Sequence, residues 1–151
     1  MNNKENLKIL LTDDDPDDRD LFKEAISELN LKHPVEYCVN GLELLERLKS
    51  GGENPDLIFL DLNMPMLSGV ETLEEIRKDP RFKNIPIIAI YSTSSSEADH
   101  KKTFLSGANA YVTKPVCFKQ LKLLLEKVIE TDWSKQIADS NMETFVISIS
   151  K

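Results

Sequence analysis

The 151-residue chain predicts an α/β fold, a parallel sheet with helices on both faces. Three features predict it. Short apolar runs recur along the chain, each is followed by apolar residues at helical spacing, and the connections between them are short. Right-handed crossovers between parallel strands then place helices on both faces of the sheet.

Residues 1–6 are polar, and the first strand is expected over Leu7–Thr12. It runs directly into Asp13-Asp14-Asp15. Pro16 at a first helical position, with Asp15 as N-cap, starts a helix carrying Leu21, Phe22, Ala25, Ile26 and Leu29 on one face. Asp17, Asp18 and Asp20 suit the positive end of its dipole. Val35–Val39 reads as strand two, and Asn40 to Glu43 as a capping box opening a helix with Leu44, Leu45 and Leu48 that stops at Gly51-Gly52.

Leu57-Ile-Phe-Leu is apolar throughout, the pattern of a strand buried on both faces, and it ends at one carboxylate, Asp61. Asn63 and Pro65 follow in a loop, and Ser68 to Glu71 is a capping box for a helix burying Val70, Leu73 and Ile76. Ile85–Tyr91 is strand four. A hydroxyl-rich loop from Ser92 leads into a helix ending near Ser106, with so few apolar residues that one broad side is expected to be solvated or open to a partner. Gly107 closes it, Ala108–Thr113 is strand five, and after Lys114-Pro115 a last helix carries Phe118, Leu121, Leu124, Leu125 and Val128.

The composition sets bounds. A net charge of −7 supplies no basic patch for phosphate neutralisation, which argues against direct nucleic-acid binding. No apolar run reaches the roughly 18 residues of a membrane span, and no signal-peptide pattern is seen, so a cytoplasmic protein without a membrane role is expected. Cys38 and Cys117 are read as reduced packing residues, and His33 and His100 as surface residues.

Strand carboxyl ends share one edge of such a sheet, where open α/β folds place their chemistry. That edge gathers Asp13, Asp14, Asp61, Ser92 and Lys114. Carboxylates so close together repel one another unless a positive charge intervenes. A hard divalent cation answers this, and Mg²⁺ takes one or two carboxylates plus a phosphoryl oxygen while keeping waters. The same acids stand where a Gly-rich phosphate loop would be, which removes dinucleotide binding as a leading idea.

From about Lys8 to Glu130 the chain resembles the receiver domain of two-component response regulators, of the stand-alone, CheY-like kind. The match rests on the acidic pair after strand one, Asp61-Leu-Asn-Met-Pro with Ser68-Gly69, the hydroxyl after strand four, and Lys114-Pro115. The resemblance implies a flavodoxin-like, doubly wound sheet of five parallel strands in the order 2-1-3-4-5, with five helices. It implies Asp61 as phosphoacceptor, Asp13, Asp14, Asp61 and the Asn63 backbone carbonyl as Mg²⁺ ligands, and Ser92 and Lys114 as partners of the phosphoryl group. Ser92 and Tyr111 take the place of the switch pair, although Tyr111 also reads as a packed core residue. A sensor histidine kinase or phosphotransfer protein is the implied donor. A downstream protein is the implied target, through the face of helix four, strand five and helix five. Beyond its own phosphorylation and dephosphorylation no enzyme activity is implied.

Departures from the family pattern are few. Serine replaces the commoner threonine at 92, Pro86 lies one residue farther from Ser92 than usual, and Cys117 stands where an N-capping Asp is frequent. Two other readings remain open: an Asp-nucleophile phosphohydrolase, disfavoured by Asn63 and the lack of a cap insertion, and a phosphorylation-independent interaction module. The receiver unit is expected over 1–133 and a C-terminal tail over 134–151. In that tail, Glu143–Ser150 alternates like a strand, which would join its own domain, pair with a neighbour's edge in a homodimer, or stay disordered.

Overall fold

The computed structural model describes residues 7–83, 86–139 and 141–148. In chain order, β1 (Ile9–Thr12) leads to α1 (Pro16–Ser27), β2 (Glu36–Cys38) to α2 (Gly41–Lys49), and β3 (Leu57–Leu60) to α3 (Gly69–Lys78). A 3-10 turn, Pro80–Phe82, precedes β4 (Ile87–Ser92) and α4 (Glu97–Leu105), and β5 (Ala110–Thr113) leads to α5 (Phe118–Glu130). The chain then adds α6 (Trp133–Ala138), α7 (Met142–Phe145) and β6 (Val146–Ile147).

All pairings in the sheet are parallel, and the order is β2-β1-β3-β4-β5-β6. The expected 2-1-3-4-5 core is therefore present, and the expected count is corrected, among the described residues, to six strands and seven α-helices. Alternating strand residues feed two cores. Ile9, Leu11, Phe59, Tyr91 and Val112 meet α1 and α5 on one face. Leu10, Ile58, Leu60, Ile90 and Tyr111 meet α2 and α3 on the other.

Helix starts follow their local chemistry. Asp15 caps α1 by accepting from the Asp17 N–H, with Pro16 next, and Ser68 and Glu71 form the reciprocal capping box of α3. Asn40 caps α2 through the Glu43 N–H, while the Glu43 carboxylate accepts from Val39 N, one residue before the cap. Ser96 caps α4 through Asp99 N. Cys117 makes no side-chain cap bond at α5, and it is exposed, so its expected packing role is corrected; Cys38 is buried. No helix among the described residues is long and apolar enough to cross a membrane.

The C-terminal segment wraps the β5 edge of the sheet. Trp133 and Ile147 are buried in the α1/α5 core, whereas Phe145 is buried in the opposite one. Phe145 lies edge-on to Phe104 of α4, with ring centroids 5.2 Å apart, and tilted against Tyr111 of β5 at 6.3 Å. Lys127 Nζ on α5 donates to the Ser148 carbonyl at 2.7 Å, and Gln136 Nε2 to the Thr144 carbonyl at 2.7 Å. Two expectations are corrected here. The strand expected from Glu143 is a short helix followed by a short strand, because Phe145 faces inward between α4 and β5. The face expected at α4, β5 and α5 is closed at β5, since β6 pairs along it; Ile149 and Ser150 lie outside the described residues.

Candidate phosphoacceptor and metal site

The ladder brings the acids to one level. Thr12 pairs with Leu60 and Cys38, the Asp61 N–H donates to Thr12 O at 3.0 Å, and the Asp13 N–H donates to Cys38 O at 3.1 Å. Asp13 and Asp61 thus leave the ends of adjacent central strands side by side, both buried. Exposed Asp14 joins them, and ligand oxygens of Asp13, Asp14 and Asp61 all lie within 4.8 Å of one another. Behind them, Gly69 lets α3 begin tight against the loop: its N–H donates to Leu62 O at 2.8 Å, and any Cβ there would overlap the Asp61 carbonyl.

Lys114, directly after β5, reaches back over the sheet to this cluster. Its side chain is only 8% exposed, with Nζ 2.8 Å from Asp13 Oδ2, 2.7 Å from Asp18 Oδ2 and 3.8 Å from Asp61 Oδ1. The Tyr91 ring lies beneath the ammonium, 5.2 Å from centroid to Nζ. Arg19 donates to the Asp13 carbonyl at 2.7 Å and holds the start of the acidic loop. Asp18 is the residue the sequence reading missed as a site member, having assigned it only to the helix dipole; its partner is 96 positions away.

Ser92 is fully buried at the end of β4, and its Oγ accepts from Ser94 N at 3.2 Å. The Lys114 N–H donates to Ser92 O at 2.8 Å, tying the hydroxyl and the lysine to one level. Tyr111 is buried with its hydroxyl donating to Ser94 O at 2.9 Å. Its ring is edge-on to His100 at 4.4 Å, and His100 Nε2 is buried without a hydrogen-bond partner among the described residues. The surface role expected of His100 is therefore corrected: it is half-buried between α4 and β5.

Burial pushes the Asp61 carboxyl up to about 7, opposed by Lys114 and reinforced by Asp13 and Asp14. Burial also raises Asp13, against the pull of Lys114. For Lys114, burial acts downward, but pairing with Asp13 and Asp18 outweighs it and the ammonium is held above its ordinary value. One cation is thus shared by three carboxylates, and Asp13 Oδ2, although near Nζ, is buried without an aligned hydrogen-bond donor. Hard oxygen donors, mutual repulsion and an unsatisfied buried oxygen all fit a divalent cation here.

Residues 9–126 match the family described as the response regulator receiver domain. The chain belongs to that family. This receiver domain is 34% identical over 126 residues to chemotaxis protein CheY1 of Helicobacter pylori, a match covering 83% of the chain and 99% of CheY1. It is 33% identical over 141 residues to the sensor histidine kinase CheAY of the same organism, covering 87% of the chain but only 17% of that longer protein. The phosphorylated cyanobacterial phytochrome response regulator RcpA superposes with a TM-score of 0.76 at 32% identity, covering 83% of this chain and 92% of that one. The Mn(2+)-bound form of response regulator Rcp1 gives 0.73 at 29% identity, covering 83% and 96%. The flavodoxin-like architecture and the place of the receiver domain in two-component signalling follow from this homology.

Proposed function

We propose that this receiver domain is a phosphorylation switch whose phosphoacceptor is Asp61. The observation that carries the reading is a buried carboxylate at the end of the central strand, next to two further acids and 3.8 Å from a buried lysine. The donor is a phosphohistidine on a sensor histidine kinase or phosphotransfer protein, or a small acyl phosphate. An Asp61 carboxylate oxygen attacks phosphorus, the bond from phosphorus to the donor's nitrogen or oxygen breaks, and the donor leaves with that electron pair. Water later cleaves the acyl phosphate to regenerate Asp61 and inorganic phosphate, so the domain turns over its own modification and no other substrate.

Asp13, Asp14, Asp61 and the Asn63 backbone carbonyl are the residues that would hold Mg²⁺, which offsets charge on the transferring oxygens when bound. Lys114 pairs with the phosphoryl group and Ser92 Oγ hydrogen-bonds it, while the fold mainly positions the reactants. The switch passes from Ser92 to Tyr111. Ser92 leaves its bond with Ser94 N, and Tyr111 responds next to the same loop, since its hydroxyl is held by Ser94 O. Output goes to a protein partner on the α4 and α5 surfaces flanking the C-terminal segment, where Leu105 and Leu123 are exposed. Residues 1–133 form the receiver unit and 134–151 an accessory segment; neither nucleic acid nor membrane is a partner in this reading, which places the protein in the cytoplasm and leaves room for a homodimer.

Asp61→Asn should abolish incorporation of phosphoryl label from acetyl phosphate in the presence of magnesium, read by intact-protein mass spectrometry. Equal labelling of the variant would remove Asp61 from the acceptor role.

A further inference from the structure

We propose that Asp18 is a positioning residue that parks Lys114 away from Asp61 and so limits how strongly the lysine engages a phosphoryl group there. The inference rests on Asp61 being the phosphoryl site. Four observations carry it. The Lys114 to Asp18 ion pair, at 2.7 Å, is as short as the one to Asp13 and far shorter than the 3.8 Å approach to Asp61. Asp18 is not needed to cap α1, because Asp15 does so, and Asp17 already supplies negative charge to the first turn. Its carboxylate is not in the group formed by Asp13, Asp14 and Asp61. At 34% exposure it keeps contact with water, whereas Lys114 is almost wholly enclosed.

The division of labour follows from these distances. A cation held by Asp13, Asp14 and Asp61 draws on the Asp13 charge that Lys114 otherwise shares. Asp18 is then the anion still competing with a phosphoryl group for the ammonium. A hydrogen bond between charged groups is stronger than a neutral one, so its loss should visibly shift that competition. Asp18→Asn removes the charge but keeps the shape and the half-buried position. The freed ammonium then turns to the new anion on Asp61, and the bound, phosphoryl-like state becomes more favourable.

The test is a titration of the full chain with beryllofluoride, which mimics a phosphoryl group on a carboxylate, at saturating magnesium. Asp18→Asn should tighten binding about tenfold, and Asp18→Glu, which restores the charge, should stay within about twofold of the native protein. In a Lys114→Gln background the Asp18→Asn change should be silent, because Asp18 acts only through the lysine. Asp18→Ser gives the same readout should the Asn variant fold poorly. Unchanged or weaker binding in Asp18→Asn, or an equal effect without Lys114, overturns the proposal. A native protein that binds no beryllofluoride instead overturns the reading of Asp61 itself, so the two failures are distinct.

Discussion

The sheet's carboxyl edge and its β5–β6 flank follow opposite rules. At the carboxyl edge, Asp13, Asp61 and Ser92 are buried polar groups, and the enclosed Lys114 side chain only partly matches the charge of the two acids. At the flank, Phe104, Tyr111 and Phe145 stack in an apolar layer closed by two residues of strand pairing. Mismatched burial costs stability and makes a site responsive to an incoming ion or phosphoryl group. Apolar burial stabilises without responding to either. Tyr111 belongs to both regions, since its ring packs on Phe145 while its hydroxyl holds the loop after Ser92.

Phe145→Ala should have the largest effect on stability. The ring is fully buried, and truncating a buried Phe typically costs about 3–5 kcal/mol. Because α7 and β6 are short and terminal, the loss should appear first as local opening, with amides of residues 141–148 exchanging faster than those of β1 and β3. Hydrogen exchange would show it, and magnesium should not restore protection. Uniform loss of protection across the sheet would mean that the flank and the core are one cooperative unit, and the contrast would fail.

A smaller effect, opposite in sign, is expected at the acid site. With the folded value of Asp61 near 7 and its ordinary value at 3.8, the folded state holds this proton more tightly than the unfolded chain. The stability Asp61 contributes is complete below about pH 3.8 and is lost as pH rises through about 7. In EDTA, Asp61→Asn should therefore be more stable than the native protein at pH 8, by about 2 kcal/mol, with the difference fading toward pH 4. Urea unfolding at both pH values checks it. Magnesium at pH 8 should narrow the gap by stabilising the native protein more. A gap of the same size at both pH values would mean that Asp61 stays ionised throughout.

What the sequence disclosed divides along the same line. The acids and the helix starts are local signals, and Asp15 and Ser68 cap the helices they were expected to cap, whereas the strand order of the core came only with the family resemblance. The Lys114 to Asp18 pair joins positions 96 apart, and nothing at Asp18 distinguishes it locally from an acid suited to the helix dipole. The cover on α4 was hidden for a related reason. A helix with few apolar residues reads as solvated, but Phe104 needs only one large partner, and Phe145 supplies it from the far end of the chain. The strand-like alternation after Glu143 held only at Val146 and Ile147, because period-two spacing in so short a stretch does not decide between a strand and one helical turn.

The smallest effect is expected at Cys117, on the rim between the two regions. It occupies the N-cap of α5 in extended conformation, yet no side-chain cap bond forms, so amide donors in the first turn of α5 lack the partner that a Ser or Asp oxygen supplies to α1, α3 and α4. A thiol is a weak acceptor, whereas a serine hydroxyl in the same extended backbone can reach the N–H two or three residues on. Cys117→Ser should stabilise the protein by about 0.5–1 kcal/mol in urea unfolding. The gain should be independent of magnesium, because Cys117 is exposed and is not among the grouped acids. A gain that appears only with magnesium would mean that the start of α5 is coupled to Lys114, three residues earlier, and the rim would then belong to the responsive region rather than the inert one.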